Sequence, residues 1–257
     1  MVKAKALFND LYQPAAIEVN AAANEVTVKN NTHQADELHW RVPVSGTVYG
    51  AALNYKGELD KLGDQLHEDP YKEPPKAPVL YIKPINTLSP HQSVIPLPAE
   101  EKELQAGAAL AVVFGKTATQ VNAESALDYV EGYTVVNDIS IPHESVHRPA
   151  IKQKARDGFC PIGPWVVQKD QVSNPDDLEL RVYVNNELKQ TASTKNLVRD
   201  VKQLIADVTE FMTFYPGDVL LVGTPENPPL VKDGDKVKVE IDEIGALENK
   251  VLSDKQG

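Results

Sequence analysis

The chain has 257 residues, a length that buries one substantial core and that favours a single body for a β-rich protein. Its 26 basic and 37 acidic residues give a net charge of −11, and no basic or aromatic-basic stripe is extensive enough to neutralise phosphates, which argues against nucleic acid and anionic membrane surfaces as partners. There is no secretory segment, no apolar run of about 20 residues, and one cysteine, Cys160, so we expect a cytoplasmic protein without an internal disulfide.

The first part of the chain predicts a small β region. EVTVK at 25–29 alternates in polarity before the turn-prone pair Asn30-Asn31, and LHWRVPV follows at 38–44. We therefore divide the chain into a β lead-in over 1–47 and a catalytic-type domain over 48–257.

A polar, proline-rich segment follows the strand-like GAALNY at 50–55. It covers 56–78 and predicts a long loop. Loops of this length inside a compact domain are lids, binding loops or disordered segments.

Further along, VLYIKP at 79–84 and ALAVVFGK at 109–116 predict core strands. Asn122 predicts the cap of a short helix through Tyr129, and the strand at 134–137 ends at Asp138. A hairpin is predicted around Asn185-Asn186, and apolar residues at helical spacing predict one amphipathic helix over 195–212. DVLLVGTP and an alternating segment after the Gly234-Asp235 turn complete a β-rich α+β pattern.

Two segments carry residues suited to chemistry. Asp138 ends an apolar strand, where its carboxylate either faces a pocket or caps a turn. The segment 148–164 concentrates Arg148, Lys152, Lys154 and Arg156 in an otherwise acidic chain. Such a cluster suits a ligand that carries carboxylates, although a solvated charge run is the alternative, above all for Lys152.

Other residues discriminate less. Thr224, in GTP, and Lys83, before Pro84, each end a strand, but turn chemistry explains the glycine and the prolines equally well. His143 and His147 are four residues apart between two prolines and without a third histidine, so we favour surface or pocket-rim roles. Serine hydrolase, P-loop and dinucleotide-binding motifs are absent from the sequence.

Seven segments in order resemble the fumarylacetoacetate hydrolase superfamily, from about residue 48 to the C-terminus. They are GAALNY, VLYIKP, ALAVVFGK, GYTVVNDIS, KARDGFCPIGPW, PGDVLLVGTP and GDKVKVEIDEIGALENKV. Within the superfamily, DPYKEPPKAP, GKTATQV and RPAIKQKARDGFCPIG are most similar to the N-terminal repeat of the bifunctional decarboxylase/isomerases of homoprotocatechuate (4-hydroxyphenylacetate) degradation.

The resemblance implies a mixed β-sandwich or roll with a few short helices and an oligomeric enzyme of aromatic catabolism. It also implies a divalent Mg or Mn ion, held by two glutamates of an E-x-E element and one aspartate, that chelates a 2-oxo acid and makes its enolate accessible. In the resembled enzymes, 5-oxopent-3-ene-1,2,5-tricarboxylate is decarboxylated to 2-hydroxyhepta-2,4-diene-1,7-dioate, which is then ketonised through the same dienolate.

This sequence departs from the implied pattern at the metal and at the lid. The E-x-E element falls on Gly107-Ala108-Ala109, so Asp138 is the one retained metal ligand and we expect weak or absent metal binding. In the lid motif, Glu58 replaces a histidine and Lys61 replaces a glutamate.

Other pocket positions are kept. Lys154 falls on the pocket lysine of the family, with Asp157 three residues later, and Thr224 falls on its pocket threonine. The resemblance therefore predicts Lys154, Asp138 and Glu58 as catalytic residues. It predicts as substrate-binding residues Thr224, Asp157, Lys83, Arg148 and Tyr55.

Three hypotheses remain open. The first is an enzyme subunit that acts with a metal-bearing paralogue on a 2-oxo dicarboxylate, as a homo-oligomer or hetero-oligomer. The second is a catalytically silent partner that stabilises or regulates that paralogue. The third is a metal-independent tautomerase that uses Lys154 with Glu58 or Asp60; a generic acylpyruvate hydrolase is disfavoured because it would need the metal.

Overall fold

The computed structural model describes residues 1–68, 73–143 and 150–254. Strands dominate these residues, with the bounds β1 (Val2–Phe8), β2 (Ala15–Asn20), β3 (Glu25–Val28), β4 (Asn31–Gln34), β5 (Trp40–Arg41), β6 (Val48–Ala52), β7 (Val79–Lys83), β8 (Leu88–Ser89), β9 (Val94–Leu97), β10 (Leu104–Gln105), β11 (Ala108–Phe114), β12 (Val130–Asn137), β13 (Cys160–Gln168), β14 (Glu179–Val184), β15 (Glu187–Ser193), β16 (Val219–Leu221), β17 (Leu230–Val231), β18 (Lys236–Ile241) and β19 (Gly245–Ser253).

Helices are short throughout the described residues. The α-helices are α1 (Lys56–Leu62), α2 (Ile151–Lys154) and α3 (Val201–Thr209). The 3-10 helices are Ala21–Ala23, Ala35–Glu37, Gly63–His67, Ile85–Thr87, Ala123–Tyr129, Lys169–Gln171 and Thr194–Asn196. No helix of the described residues is long and apolar enough to cross a bilayer.

A large mixed sheet organises the fold. Its strand order is β4-β3-β2-β1-β13-β12-β11-β16-β6-β7, with β5 paired to β1 and β8 paired to β13. A second sheet, β15-β14-β18-β19-β9, packs with β18 and β19 against β12 and β13. This architecture confirms the predicted β-rich sandwich or roll.

The central strand β11 is buried on both faces. Leu110, Val112 and Phe114 join the core shared with the second sheet, whereas Ala109 and Ala111 face a smaller core that contains Cys160. The alternation follows from the two-residue period of a strand, and a fully buried Leu or Val contributes about 1.5–3 kcal/mol. This strand fixes the position of Gly107, which immediately precedes it.

The large sheet curls so that its last strand returns towards its middle. Neighbouring strands lie about 4.8 Å apart, so in a flat sheet β7 would lie roughly 19 Å from β12, four strands away. Instead, the Tyr81 hydroxyl of β7 lies 2.6 Å from the carboxylate of Asp138, directly after β12. β8, which follows β7, pairs in parallel with the start of β13 and continues the curl.

The N-terminal strands extend the large sheet. β1 pairs antiparallel with β13, and β2 to β4 continue outward from it. The predicted antiparallel ladder is therefore observed, while the division at residue 48 stays a prediction.

Several predicted elements are confirmed. Asn122 caps the 3-10 helix Ala123–Tyr129 by accepting a hydrogen bond from the Ser125 amide at 3.0 Å. Asn185 and Asn186 adopt φ values of 52° and 66°, as a two-residue hairpin requires, between β14 and β15.

Two predictions need correction. The segment predicted as a long loop over 56–78 begins with α1 and the 3-10 helix Gly63–His67, because good helix formers occupy 58–62 before the break at Gly63. The helix predicted over 195–212 is the shorter α3. It begins at Val201 because the Asp200 carboxylate caps it, accepting from the Gln203 amide at 2.7 Å.

Candidate active site

A buried carboxylate forms the centre of the site. Asp138 is 1% exposed; its Oδ1 lies 2.9 Å from Nζ of Lys83, and its Oδ2 accepts from Nζ of Lys154 at 2.9 Å and from the Tyr81 hydroxyl at 2.6 Å. Burial alone would raise the pKa of Asp138, but Lys154, Lys83 and the Tyr81 hydroxyl together hold it well below its usual range. Asp138 is therefore ionised, and protein groups engage both of its oxygens.

Lys83 is buried and held in place by neighbouring protein groups. Its side chain is fully buried, and Nζ also donates to the carbonyl oxygens of Ile139 at 3.2 Å and Lys154 at 2.8 Å. Two of its three donors are therefore used by backbone carbonyls, and the ammonium group also forms the ion pair with Asp138. These contacts give Lys83 a structural role, and its predicted substrate-binding role stays a prediction.

Lys154 differs from Lys83 because it retains free donors. It ends α2, its side chain is 22% exposed, and Nζ lies 4.9 Å from the centre of the Tyr81 ring. Among the described residues, the Asp138 carboxylate is its hydrogen-bond partner. Two ammonium donors of Lys154 thus remain available to a ligand.

Lys154 does not pair with Asp157, the aspartate three residues after it. Asp157 accepts a hydrogen bond from the side-chain amide of Asn86 at 2.7 Å, whereas Lys154 turns towards Asp138. The curl of the large sheet brings Asp138 to α2, and three residues of sequence spacing do not reveal this. The substrate-binding role predicted for Asp157 stays a prediction.

Two orphaned oxygens lie on the first turn of α1 and the residue before it. Tyr55 Oη and Glu58 Oε2 are buried and have no hydrogen-bond partner among the described residues. Burial, with a smaller contribution from Glu226, raises the pKa of Glu58 to about 7, although the backbone amides of Tyr55 and Leu53 and the charge of Lys154 oppose the rise. Burial likewise raises the pKa of Tyr55, with Glu58 and Glu226 adding to the rise.

The backbone before β11 closes against Asp138 and Thr224. The Asp138 amide donates to the Gly107 carbonyl at 2.7 Å. A Cβ on Gly107 would lie 2.7 Å from the carbonyl oxygen of Asp138 and 2.9 Å from Cγ2 of Thr224. Thr224, after β16, is partly exposed beside Asp138, as a pocket residue would be.

These residues do not fit the metal site that the family resemblance implies. Gly107 and Ala109 carry no ligand atoms, and the carboxylate of Asp138 is neutralised by two ammonium groups. Hard cations such as Mg²⁺ prefer several oxygen ligands. Within the described residues, no group of three His, Cys, Asp or Glu side chains could hold a metal ion.

Asn54 fixes the beginning of α1 to the rest of the site. Its side-chain amide donates to the carbonyl oxygens of Val222 at 2.8 Å and Arg199 at 3.1 Å, and its Oδ1 accepts from the Arg199 amide at 3.0 Å. Sequence reasoning missed Asn54 and Tyr81. Tyr81 could have been found, because residues two apart on a strand share a face and Tyr81 stands two before Lys83.

The remaining predicted residues either lie outside the part of the chain that the structure describes or, within that part, make no hydrogen bond or ion pair with Asp138. Arg148 and His147 fall outside the described residues. His143 Nδ1 lies 3.0 Å from the Ile141 carbonyl oxygen, and both Lys152 and Asp60 are exposed. A groove of about 650 Å³, lined in part by His91 and Trp165, contains none of the predicted site residues.

The sequence of the chain is similar to that of known proteins of one enzyme family. Residues 47–252 match the family model "Fumarylacetoacetate (FAA) hydrolase C-terminal". The chain is 41% identical to the 4-hydroxyphenylacetate degradation bifunctional isomerase/decarboxylase of Escherichia coli over 83% of this chain and 48% of that protein. It is 38% identical to the human mitochondrial oxaloacetate tautomerase FAHD2A over 69% of this chain and 60% of that protein.

A solved structure matches along the whole chain. The 2-hydroxyhepta-2,4-diene-1,7-dioate isomerase of Mycobacterium marinum is 27% identical, with a TM-score of 0.80 and full coverage of both chains. By contrast, the chain spans about half the length of the bifunctional relatives that it matches.

Proposed function

The chain belongs to the fumarylacetoacetate hydrolase family, and on that premise we propose that it is a subunit of a decarboxylase/isomerase of 4-hydroxyphenylacetate catabolism. Its proposed partner is a metal-bearing paralogue. The proposed reactions are decarboxylation of 5-oxopent-3-ene-1,2,5-tricarboxylate and isomerisation of the 2-hydroxyhepta-2,4-diene-1,7-dioate that forms. Both steps run through one dienolate of a 2-oxo dicarboxylic acid.

The observation that carries the proposal is the charge arrangement around Asp138. Lys83 and Lys154 together exceed the charge of the carboxylate by one, and the excess lies on the partly exposed Lys154. A cation with free donors binds a carboxylate or an enolate oxygen by charge-assisted hydrogen bonds. The same arrangement leaves no room for a metal, so a metal-dependent decarboxylation needs a second chain.

The length of the relatives supports the proposal that a second, similar chain carries the metal-dependent step. The Escherichia coli bifunctional isomerase/decarboxylase is about twice as long as the stretch that matches this chain. A separate subunit equivalent to one half of such a protein would place its site beside that of a second, similar chain.

The test is an assay of the purified chain alone and mixed with a paralogue that has an intact E-x-E element, each with and without magnesium. We expect decarboxylation of 5-oxopent-3-ene-1,2,5-tricarboxylate in the mixture with magnesium, and a lower rate when Lys154→Met replaces the wild-type chain. An inactive mixture would contradict the proposal.

A second candidate is a catalytically silent partner that stabilises or regulates the paralogue. It is favoured by the close approach of Gly107 to Asp138, which closes the position of the first implied metal ligand. In that case Lys154→Met would leave turnover of the mixture unchanged, although omitting the chain would still lower the stability of the paralogue.

A further inference from the structure

Glu58 and Lys154 are close enough for their charges to interact, and neither uses all of its hydrogen-bonding capacity among the described residues. Glu58 Oε2 and Tyr55 Oη are buried without partners among the described residues, and Lys154 retains two donors. Buried polar atoms are nearly always paired in folded proteins, and an exception suggests a ligand or a catalytic role.

We propose that these residues ketonise an enolised 2-oxo dicarboxylate without a metal ion, with Lys154 holding the enolate oxygen and Glu58 delivering the proton to carbon. The proposal rests on the substrate class of the proposed function and deepens it. It assigns the isomerase half of that chemistry to this chain alone.

Charge favours this assignment of roles. The group of Lys83, Lys154 and Asp138 carries one net positive charge, which suits an enolate oxygen but leaves no proton on Asp138. Near neutral pH, Glu58 holds a proton for part of the time because burial raises its pKa to about 7. A general acid works best when its pKa lies near the working pH.

Neighbouring groups are less suited to proton delivery. The Tyr81 hydroxyl already donates to Asp138 at 2.6 Å, and burial raises the pKa of Tyr55 well above neutrality. Asp60, on the same helix as Glu58, is exposed. Glu58 is thus the group among these that can release a proton at neutral pH inside the pocket.

The proposed step balances without an oxidant or reductant. The enol O–H bond loses its proton to water, and the oxygen is held as an enolate by the Lys154 ammonium group. The C=C electron pair then takes the proton of the Glu58 carboxyl to form a C–H bond while the C–O bond becomes C=O. Water returns a proton to the Glu58 carboxylate, so the net change is the transfer of one proton from oxygen to carbon.

Enolic oxaloacetate is a suitable probe because it is the enol of a small 2-oxo dicarboxylate. The purified chain is assayed alone in EDTA by following the loss of enol absorbance. We expect ketonisation above the buffer rate, unchanged by EDTA or magnesium, and a decrease of about 10²- to 10⁴-fold in Glu58→Gln. Asp60→Asn, on the exposed side of the same helix, should match the wild type.

Two further measurements separate chemistry from folding. Binding of oxalate, an enolate analogue, should change by only a few-fold in Glu58→Gln, whereas Lys154→Met should raise KM for the enol. The wild-type rate should also fall above pH 7 as Glu58 loses its proton. The charged groups that act on Glu58 are Lys154 and Glu226, and the hydroxyls of Tyr55 and Tyr81 are the other titratable groups near it. This profile tests the proposal even if a variant fails to fold.

The proposal is overturned if the chain does not exceed the buffer rate, if EDTA abolishes the activity and magnesium restores it, or if Glu58→Gln retains full activity. Failure of the subunit proposal is distinguishable. Ketonisation by the chain alone combined with an inactive mixture would remove the decarboxylase assignment and leave this one intact.

Discussion

The ammonium group of Lys83 lies 2.9 Å from Oδ1 of Asp138, and both side chains are completely shielded from solvent. Removing Lys83 takes one of two cations from this buried carboxylate and leaves the carbonyl oxygens of Ile139 and Lys154 without its donors, and disrupting a buried ion pair in this way costs about 3–5 kcal/mol. We therefore expect Lys83→Met to lower the free energy of unfolding by about that amount in urea at pH 7. Lys154→Met is the matched comparison, and it should cost less because the Lys154 side chain is partly exposed and donates to no backbone carbonyl among the described residues. Equal losses would contradict the structural role of Lys83.

Lys154→Met should weaken ligand binding more than stability. The substitution removes a charge-assisted hydrogen bond worth about 1.5–3 kcal/mol, so the affinity for a 2-oxo dicarboxylate should fall roughly tenfold to a hundredfold. Isothermal titration with oxalate measures the change. Lys152→Met, at an exposed position on the same helix, should be nearly silent. If both variants reduced affinity equally, the pocket role of Lys154 would be wrong.

Stability should fall as pH rises through the range in which Glu58 titrates. The pKa of Glu58 is about 7 in the folded chain, above its ordinary value, so between these values the folded state binds more protons than the unfolded state. We expect the wild type to lose about 2–3 kcal/mol between pH 5 and pH 8 through this group. In Glu58→Gln this part of the pH dependence should disappear, whereas Asp60→Asn should retain it. Urea unfolding at both pH values checks the difference.

Magnesium and manganese should bind weakly to the chain alone. The oxygens of Asp138 are already paired with Lys83 and Lys154, and neither Gly107 nor Ala109 supplies a carboxylate. A stoichiometric site of low-micromolar affinity that is lost in Asp138→Asn would contradict this expectation.

Gly107→Ala should destabilise the chain. The added Cβ would lie 2.7 Å from the Asp138 carbonyl oxygen, and overpacking of this kind costs about 1–3 kcal/mol. The comparison is Gly234→Ala, where a Cβ meets open space but the φ of 88° causes strain. A thermal melt should show that Gly107→Ala lowers Tm even though the φ of Gly107 is not in the left-handed region. An unchanged Tm would show that the backbone there relaxes easily.

The sequence predicts individual residues of the site from their local surroundings, but it does not predict contacts between residues that are far apart along the chain. Asp138 and Lys154 could be chosen from a strand end and a basic cluster, and both lie at the centre of the site. Their pairing could not be predicted, because it arises from the curl of a sheet whose strands are far apart in sequence. For the same reason the sequence did not predict that Tyr81 contacts Asp138 or that the Lys83 ammonium group is buried against the Lys154 carbonyl.

The presence of local elements was predicted better than the residues at which they begin and end. The Asn185-Asn186 hairpin follows from side chains that tolerate positive φ, and periodicity indicated the region of α3. The start of α3 was missed because apolar spacing continued past the Asp200 cap. α1 was missed because a charged, proline-rich composition outweighed its run of good helix formers.

The approach of Gly107 to the carbonyl oxygen of Asp138 also bears on how the chain can evolve. A single change to glutamate there would introduce a steric clash before it supplied a ligand, and the two lysines on Asp138 would still repel an incoming cation. A lineage that returned to metal chemistry would have to move the backbone, replace Lys154 and restore two glutamates, with the early steps selected against. A carboxylate-based metal site could therefore be built at this position only by several coupled substitutions.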